Sequence, residues 1–121
     1  METKEKRLDN IWSQAVKEIA DYKCELCGNK NSLSAHHIIN KSISKGLRWK
    51  IKNGMCLCFS CHRMAHDQPK KFKEKIKKMD RDIDYKELEH KGSEICKYID
   101  LKKEEENIKT IWIKHVKIVA K

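Results

Sequence analysis

The chain has 121 residues, of which 39% are hydrophobic and 38% charged, and its formal net charge is +10. This length allows one modest core, which a structural metal would stabilise, and excludes a large multidomain protein. The excess of Lys and Arg predicts a polyanionic partner that is bound less tightly as salt rises. Nothing resembles a signal peptide or a membrane span, so we expect a cytoplasmic protein with reduced cysteines.

The first segment is amphipathic. Apolar residues recur at three- and four-residue spacing from Leu8 to Ile19, with charged residues between them. This pattern predicts a helix from Thr3 to about Ala20, whose apolar face packs on the core.

Two Cys-x2-Cys pairs follow, with 30 residues between them. A two-residue gap lets both sulfurs of one turn face a single ion, and zinc takes four tetrahedral ligands. The spacing therefore predicts one structural Zn²⁺ site. Cys56 is a possible substitute ligand, but with Cys96 it better fits a small buried residue. The predicted ligands are Cys24, Cys27, Cys58 and Cys61.

Two short strands and a helix are predicted around these cysteines. Alternation predicts a strand from Leu33 to Ile39, followed by a loop over 41–52. Asn53-Gly54 is a turn signal, and a return strand over Met55–Cys58 follows it. Ser60 is a candidate cap for a helix that ends near Asp67.

Four of the six histidines lie in or beside the cysteine frame. His62 and His66 are four apart, so on a helix both imidazoles point to the same side and suit one metal ion. His36 and His37 are adjacent on a predicted strand, where successive side chains diverge. We therefore expect one of these two to complete a metal triad and the other to face a substrate.

The segment from Leu26 to His66 contains seven Lys or Arg residues and no Asp or Glu. Such a surface favours phosphate, and the predominance of lysine over arginine predicts recognition of backbone and shape more than of base edges. The residues predicted to contact nucleic acid are Lys41, Lys45, Arg48 and Arg63.

After Pro69 the chain is rich in Lys and Glu and has helical periodicity. One helix is predicted to turn Phe72, Ile76 and Met79 inward and to end before Asp80. A second is predicted from Tyr85 to about Lys103, and a third over Ile108–Val119, of which Ile111–Val119 also fits a strand. The inward residues predicted for the second helix are Leu88, Ile95, Tyr98 and Ile99.

We expect one α+β domain over residues 1–121. Its parts are an N-terminal helix (1–20), a zinc and catalytic core (21–67) and a helical extension (68–121).

Together, these cysteines, histidines and the asparagine form a pattern that resembles a known family. The pattern Cys-x2-Cys, His36-His37-Ile38-Ile39, Asn53-Gly54-Met55-Cys56-Leu57-Cys58-x2-Cys61-His62-x3-His66 resembles the HNH endonucleases, the ββα-metal nucleases, over about Tyr22 to Asp67. Leu47-Arg48-Trp49 and His66-Asp67-Gln68-Pro69 also resemble small phage HNH proteins, including recombination nucleases of the lambda NinG type.

The resemblance implies a ββα-metal core that hydrolyses phosphodiester bonds of DNA with one divalent cation (Mg²⁺, Mn²⁺, Ni²⁺ or Zn²⁺). It implies that His37 is the general base and that Asn53 ties the loop to the first strand and keeps His37 oriented. Many family members carry Asp where this chain has His36, so the cation here would sit among three neutral ligands. Those implied ligands are His36, His62 and His66.

Two other functions are compatible with part of the pattern. A non-catalytic zinc-knuckle protein that binds nucleic acid would explain the cysteines and the charge, but not His36, His37, Asn53 and His66. An adaptor in a phage packaging or recombination complex would use the C-terminal helices for contacts, and this role is compatible with nuclease activity.

Overall fold

A two-stranded antiparallel sheet lies between two layers of helices. The computed structural model describes residues 2–41, 43–79, 85–93 and 98–119. Within these ranges the architecture is α+β, as predicted. The elements in chain order are α1 (Lys4–Ile19), β1 (Ser34–His37), a 3₁₀ turn (Ile51–Asn53), β2 (Gly54–Leu57), α2 (Phe59–Asp67), α3 (Pro69–Lys77), α4 (Tyr85–Ser93) and α5 (Leu101–Val119).

The helix α1 begins at a side-chain cap. The hydroxyl of Thr3 accepts a hydrogen bond from the backbone N–H of Lys6 at 3.1 Å, which satisfies one of the free donors of the first turn. Its apolar stripe is buried against the sheet and α5, so the predicted helix and its packing on the core are confirmed. The buried residues of the stripe are Leu8, Trp12, Ala15 and Val16.

The strands β1 and β2 pair with His36 opposite Met55 and His37 opposite Gly54. Because side chains alternate along a strand, each strand contributes to two separate cores. In β2, Met55 and Leu57 pack with α2 and α3, whereas Cys56 packs with α1 and α5. The sheet is therefore covered on both faces. The strand β1 is shorter than the predicted Leu33–Ile39, whereas β2 has the predicted four residues but begins and ends one residue earlier than Met55–Cys58.

The predicted turn at Asn53-Gly54 is not present. Asn53 ends the 3₁₀ turn, and Gly54 starts β2 in an extended conformation (φ −105°, ψ 141°). The glycine is needed for a different reason, because a Cβ there would lie 2.5 Å from Cγ2 of Val16 and 2.9 Å from Cζ2 of Trp12. Gly54 thus allows α1 to approach the sheet closely.

The helix α2 begins after Cys58, and no side chain caps it, so the predicted cap at Ser60 is wrong. Ser60 lies inside the first turn because the chain leaves β2 directly into the helix. Pro69 occupies the first turn of α3, where its missing N–H costs nothing. Phe72 and Ile76 of α3 are buried and Met79 is partly buried, as predicted.

The single helix predicted from Tyr85 to Lys103 is wrong. The helix α4 ends at Ser93, residues 98–100 are not helical, and α5 begins at Leu101, where the Asp100 carboxylate accepts from the backbone N–H of Lys103 at 3.2 Å. This cap starts a new helix where periodicity alone predicted continuation.

The residues predicted to point inward on that helix differ in their burial. Leu88 is buried as predicted, and Ile99 packs partly against the cluster around α1. Tyr98 is 81% exposed because it precedes α5 instead of lying on a packed helix. Ile95 and Cys96 lie outside the described residues.

The last helix, α5, runs continuously over the segment for which a strand was the alternative, so that alternative is wrong. Ile108 is buried against α1. None of the described helices is long and apolar enough to cross a membrane.

Candidate metal centres and active site

The four predicted cysteine ligands lie together. Their sulfur atoms are all within 4.8 Å of one another, and Sγ of Cys27 is 3.6 Å from Sγ of Cys58. Tetrahedral zinc with Zn–S bonds of about 2.3 Å requires S···S separations of roughly 3.8 Å. The cluster therefore fits a four-thiolate Zn²⁺ site with little adjustment.

Backbone hydrogen bonds shape the first cysteine pair into a tight turn. The N–H of Gly28, at φ +79°, donates to the carbonyl of Cys24 at 2.9 Å, and the N–H of Cys24 donates to the carbonyl of Asn29 at 2.8 Å. Glu25 fastens this turn to β2, since its N–H donates to the carbonyl of Cys56 at 2.9 Å and its carboxylate accepts from the N–H of Cys56 at 2.6 Å. No spacing or motif in the sequence indicates this role of Glu25.

The thiols respond differently to their surroundings. Burial raises the pKa of Cys24, but backbone hydrogen bonds from Cys58, Cys27 and Leu26 more than offset it and lower the pKa to about 7. Burial and the neighbouring sulfurs raise the pKa of Cys61. Four thiolates so close together repel one another, so ionising all of them requires a compensating cation. A soft, divalent, tetrahedral ion such as Zn²⁺ meets that requirement.

Cys56 is not part of this cluster. Its side chain is fully buried against α1 and α5, as predicted for a small packing residue. Burial and the nearby charge of Glu25 raise its pKa to about 11, so it remains a neutral thiol.

The second candidate metal centre consists of three histidines whose ring nitrogens are within 4.8 Å of one another. His62 and His66 lie one turn apart on α2, with their Nε2 atoms 3.2 Å apart. His36 reaches them from β1, and its ring centroid is 5.1 Å from that of His62 and 5.3 Å from that of His66. The predicted spacing on strand and helix thus brings all three imidazoles to one point.

Two further residues hold this triad in place. The hydroxyl of Ser34 is 3.1 Å from Nδ1 of His62, which leaves Nε2 directed at His66. The ring of Phe72 packs edge-on against His36 at a centroid distance of 5.1 Å. Such supporting contacts orient metal-binding imidazoles. Strand alternation places Ser34 on the same face as His36, a signal that the sequence analysis did not use.

The triad is electrostatically prepared for a cation. Burial lowers the pKa of His36 to about 3, and the neighbouring rings of His62 and His66 contribute to the shift. Burial also lowers the pKa of His62. The neutral form keeps a lone pair available, which is what coordination requires. Three neutral imidazoles fit Zn²⁺ or Ni²⁺ better than Mg²⁺, which prefers oxygen ligands.

His37 lies on the opposite face of β1 from His36. Its ring stacks on Trp12 with centroids 4.1 Å apart and an interplanar angle of 12°. Its Nε2 is 2.9 Å from the carbonyl oxygen of Arg48. Because a carbonyl can only accept, Nε2 carries the hydrogen of the neutral ring and Nδ1 keeps the lone pair. Burial lowers the pKa of His37, against the opposing effect of the bond to Arg48.

Asn53 is fully buried and joins both ends of the loop between the strands. Its side-chain oxygen accepts from the N–H of Ile39 at 2.8 Å. Its amide nitrogen donates to the carbonyls of Ile39 at 3.0 Å and Leu47 at 3.3 Å. These three hydrogen bonds show that Asn53 does more than form a turn. They fix the loop immediately before Arg48, whose carbonyl oxygen contacts His37.

Of the four side chains predicted to contact nucleic acid, three are exposed to solvent and one is bound to a carboxylate of α1. Arg48 forms a two-pronged pair with Asp9, with Nε–Oδ1 at 3.0 Å and Nη2–Oδ2 at 2.6 Å. Its guanidinium is thus paired with a carboxylate, and the predicted contact of Arg48 with phosphate stays untested. Lys41 and Lys45 are exposed, and so is Arg63, which forms an ion pair with Asp67 at 3.4 Å.

Comparison with known proteins agrees with the residue pattern. Residues 24–68 match the family model described as HNH endonuclease. Comparisons with curated proteins and with solved structures gave no significant match. The matched segment contains both ligand clusters, His37 and Asn53, whereas α1, α3, α4 and α5 lie outside it. Residues 24–68 are thus similar to the HNH endonuclease family, in the segment where the cysteines and histidines predicted this similarity.

Proposed function

We propose that this protein is a metal-dependent HNH endonuclease that hydrolyses phosphodiester bonds of DNA. The observation that carries the proposal is the convergence of three ring nitrogens from β1 and α2 within 4.8 Å. A fourth imidazole, that of His37, is held apart from them on the next residue of the same strand. Three histidines are thus placed to bind a cation, and His37 is placed separately to accept a proton.

His36, His62 and His66 would hold the divalent cation, and Ser34 would orient His62 for it. When bound, the cation supplies Lewis-acid stabilisation of the charge that develops on the phosphate during in-line displacement. The four cysteines would hold a separate structural Zn²⁺, which joins the turn at Cys24 to the start of α2.

His37 would act as the general base. Its Nδ1 lone pair is available at neutral pH because burial lowers its pKa. It would take a proton from the attacking water, while Nε2–H continues to donate to the carbonyl of Arg48. Asn53 would maintain that geometry by fixing the loop that carries the carbonyl.

DNA would be bound mainly through its backbone. The segment from Leu26 to His66 contains no acidic residue, and Lys41, Lys45 and Arg63 expose their side chains there. Lysine and arginine contacts of this kind release counterions and carry little sequence information. A role with phage packaging or recombination proteins, and a cytoplasmic location, stay predictions from the sequence.

The test is a cleavage assay with purified protein on plasmid, single-stranded and branched DNA, in Mg²⁺, Mn²⁺, Ni²⁺ and Zn²⁺. We expect metal-dependent nicking or cutting that a chelator abolishes. If wild-type protein binds DNA but cleaves none of these substrates with any of the metals, the non-catalytic zinc-knuckle function is correct instead.

A further inference from the structure

Two residues of α1, Asp9 and Trp12, reach the surroundings of His37 although α1 lies outside the segment that matches the family. We propose that they are positioning residues for the general base, with Trp12 fixing the plane of the His37 ring and Asp9 fixing the carbonyl to which the ring donates. This inference rests on the proposed function, since it takes His37 as the base.

Trp12 forms a rigid platform. Its indole is 2% exposed, and its Nε1 donates to the carbonyl of Lys50 at 2.9 Å, so the ring cannot turn. The absence of a side chain at Gly54, the cross-strand partner of His37, allows the indole to approach β2. A platform held in this way restricts rotation of His37 about its Cβ–Cγ bond, because rotation would break the parallel stack.

Asp9 fastens the loop. Its carboxylate accepts from Nε and Nη2 of Arg48 and, at 2.8 Å, from Nε1 of Trp49. These charge-assisted bonds hold two consecutive loop residues against α1, and the backbone of Arg48 carries the carbonyl that accepts from His37. Asn53 holds the same loop one residue earlier, at Leu47. The acceptor of the His37 proton is thus fixed from both sides.

The consequence for catalysis is geometric. If the carbonyl moves away, Nε2 loses its acceptor, and the proton of the neutral ring is no longer confined to that nitrogen. The lone pair at Nδ1 is then present for only part of the time and is less well directed. A displacement of about 1 Å at a reacting group can cost around 100-fold in rate.

Each test variant has a matched control, taken from the same helix or from the same buried cluster. Asp9→Asn removes the charge that binds Arg48, and Glu5→Gln is its control, because Glu5 is an exposed carboxylate of the same helix at 3.7 Å from Arg48. Trp12→Leu removes the platform, and Trp112→Leu is its control, because Trp112 packs in the same cluster from α5. Trp12→Phe preserves an aromatic face and should restore most of what Trp12→Leu loses.

The first readout is the tautomer of His37 by ¹⁵N NMR of the zinc-loaded full chain, with histidine labelled. We expect a single Nε2–H form in wild type and in both controls, and a mixture in Asp9→Asn and Trp12→Leu.

The second readout is steady-state cleavage. We expect kcat to fall roughly 10- to 100-fold in Asp9→Asn and Trp12→Leu, with KM and the metal concentration for half-activity unchanged. An unchanged tautomer and kcat in these two variants, or equal losses in the controls, would overturn the inference. If wild type does not cleave, the proposed function fails, and the NMR experiment still decides whether α1 positions the ring.

Discussion

His36 and His37 are neighbours in the chain, but their rings lie on opposite faces of β1. His36 meets His62 and His66 on α2, whereas His37 stacks on Trp12 of α1. The two-residue period of a strand produces this separation. If the protein is the proposed nuclease, removing each of the two should therefore impair cleavage in a different way.

His37→Ala should retain zinc, fold, DNA affinity and cation binding at the histidine triad, and should lose cleavage by about 10²–10⁴-fold, the usual contribution of a general base. His62→Ala should lose cleavage through weaker cation binding, so excess Mn²⁺ or Ni²⁺ should partly restore it. Metal titrations of the cleavage rate separate the two, and His115→Ala on α5 is the control. Cleavage at the wild-type rate by His37→Ala would contradict the mechanism.

Cys24→Ser should remove the structural zinc and lower the free energy of unfolding by several kcal/mol, because metal binding at such sites contributes directly to folding. Metal analysis and thermal melting measure the two effects. Cys56→Ala is the matched control, since Cys56 is buried but is not in the ligand cluster. It should keep its zinc. Equal zinc content in Cys24→Ser and wild type would show that the site is misassigned.

The pH dependence of cleavage follows from the lowered pKa of His37. The base works when neutral, so kcat should fall as pH decreases through the pKa of the folded protein. That pKa lies below the usual value of about 6.5, so the acidic limb should have its midpoint below 6.5 as well. A pH–rate profile at saturating metal measures it. A midpoint above 7 would show that another group is titrating.

Gly54→Ala should destabilise the protein by about 1–3 kcal/mol, as overpacked cores do, because its Cβ would meet Val16 and Trp12 at less than 3 Å. It should also disturb the stack on His37 and reduce kcat. Adding Val16→Ala removes the nearer of the two clashes and should recover part of the lost melting temperature. Wild-type stability in Gly54→Ala would show that α1 is not packed as closely as described.

Variants of Arg63 and Arg48 distinguish a phosphate contact from a structural role. Arg63→Gln should reduce the slope of log affinity against log salt by about 1, as expected for one lost phosphate contact. Arg48→Gln should leave that slope unchanged and should lower stability and kcat, because its guanidinium is bound to Asp9. Fluorescence anisotropy with labelled duplex over a salt series measures both slopes. The reverse pattern would assign the phosphate contact to Arg48.

The sequence predicted the parts of the site that depend on local geometry. The two-residue cysteine gaps, the four-residue step from His62 to His66 and the alternation at His36-His37 each determine relative directions within one element. The contacts of Asp9 and Trp12 could not be predicted, since they join α1 to a loop about forty residues later through packing alone. The start of α5 was missed because helical periodicity continues across Asp100, where a single carboxylate caps a new helix.

Because β2 is buried on both faces, the segment that matches the family model depends on residues outside it for its packing. An excised fragment covering residues 24–68 would keep all seven candidate metal ligands. It would also leave Trp49 and Cys56 uncovered, since both are shielded by residues of α1 and α5. Such a fragment would aggregate or misfold before its ligands could assemble. Any transplant of residues 24–68 into another protein must therefore include α1, or a replacement for its apolar face.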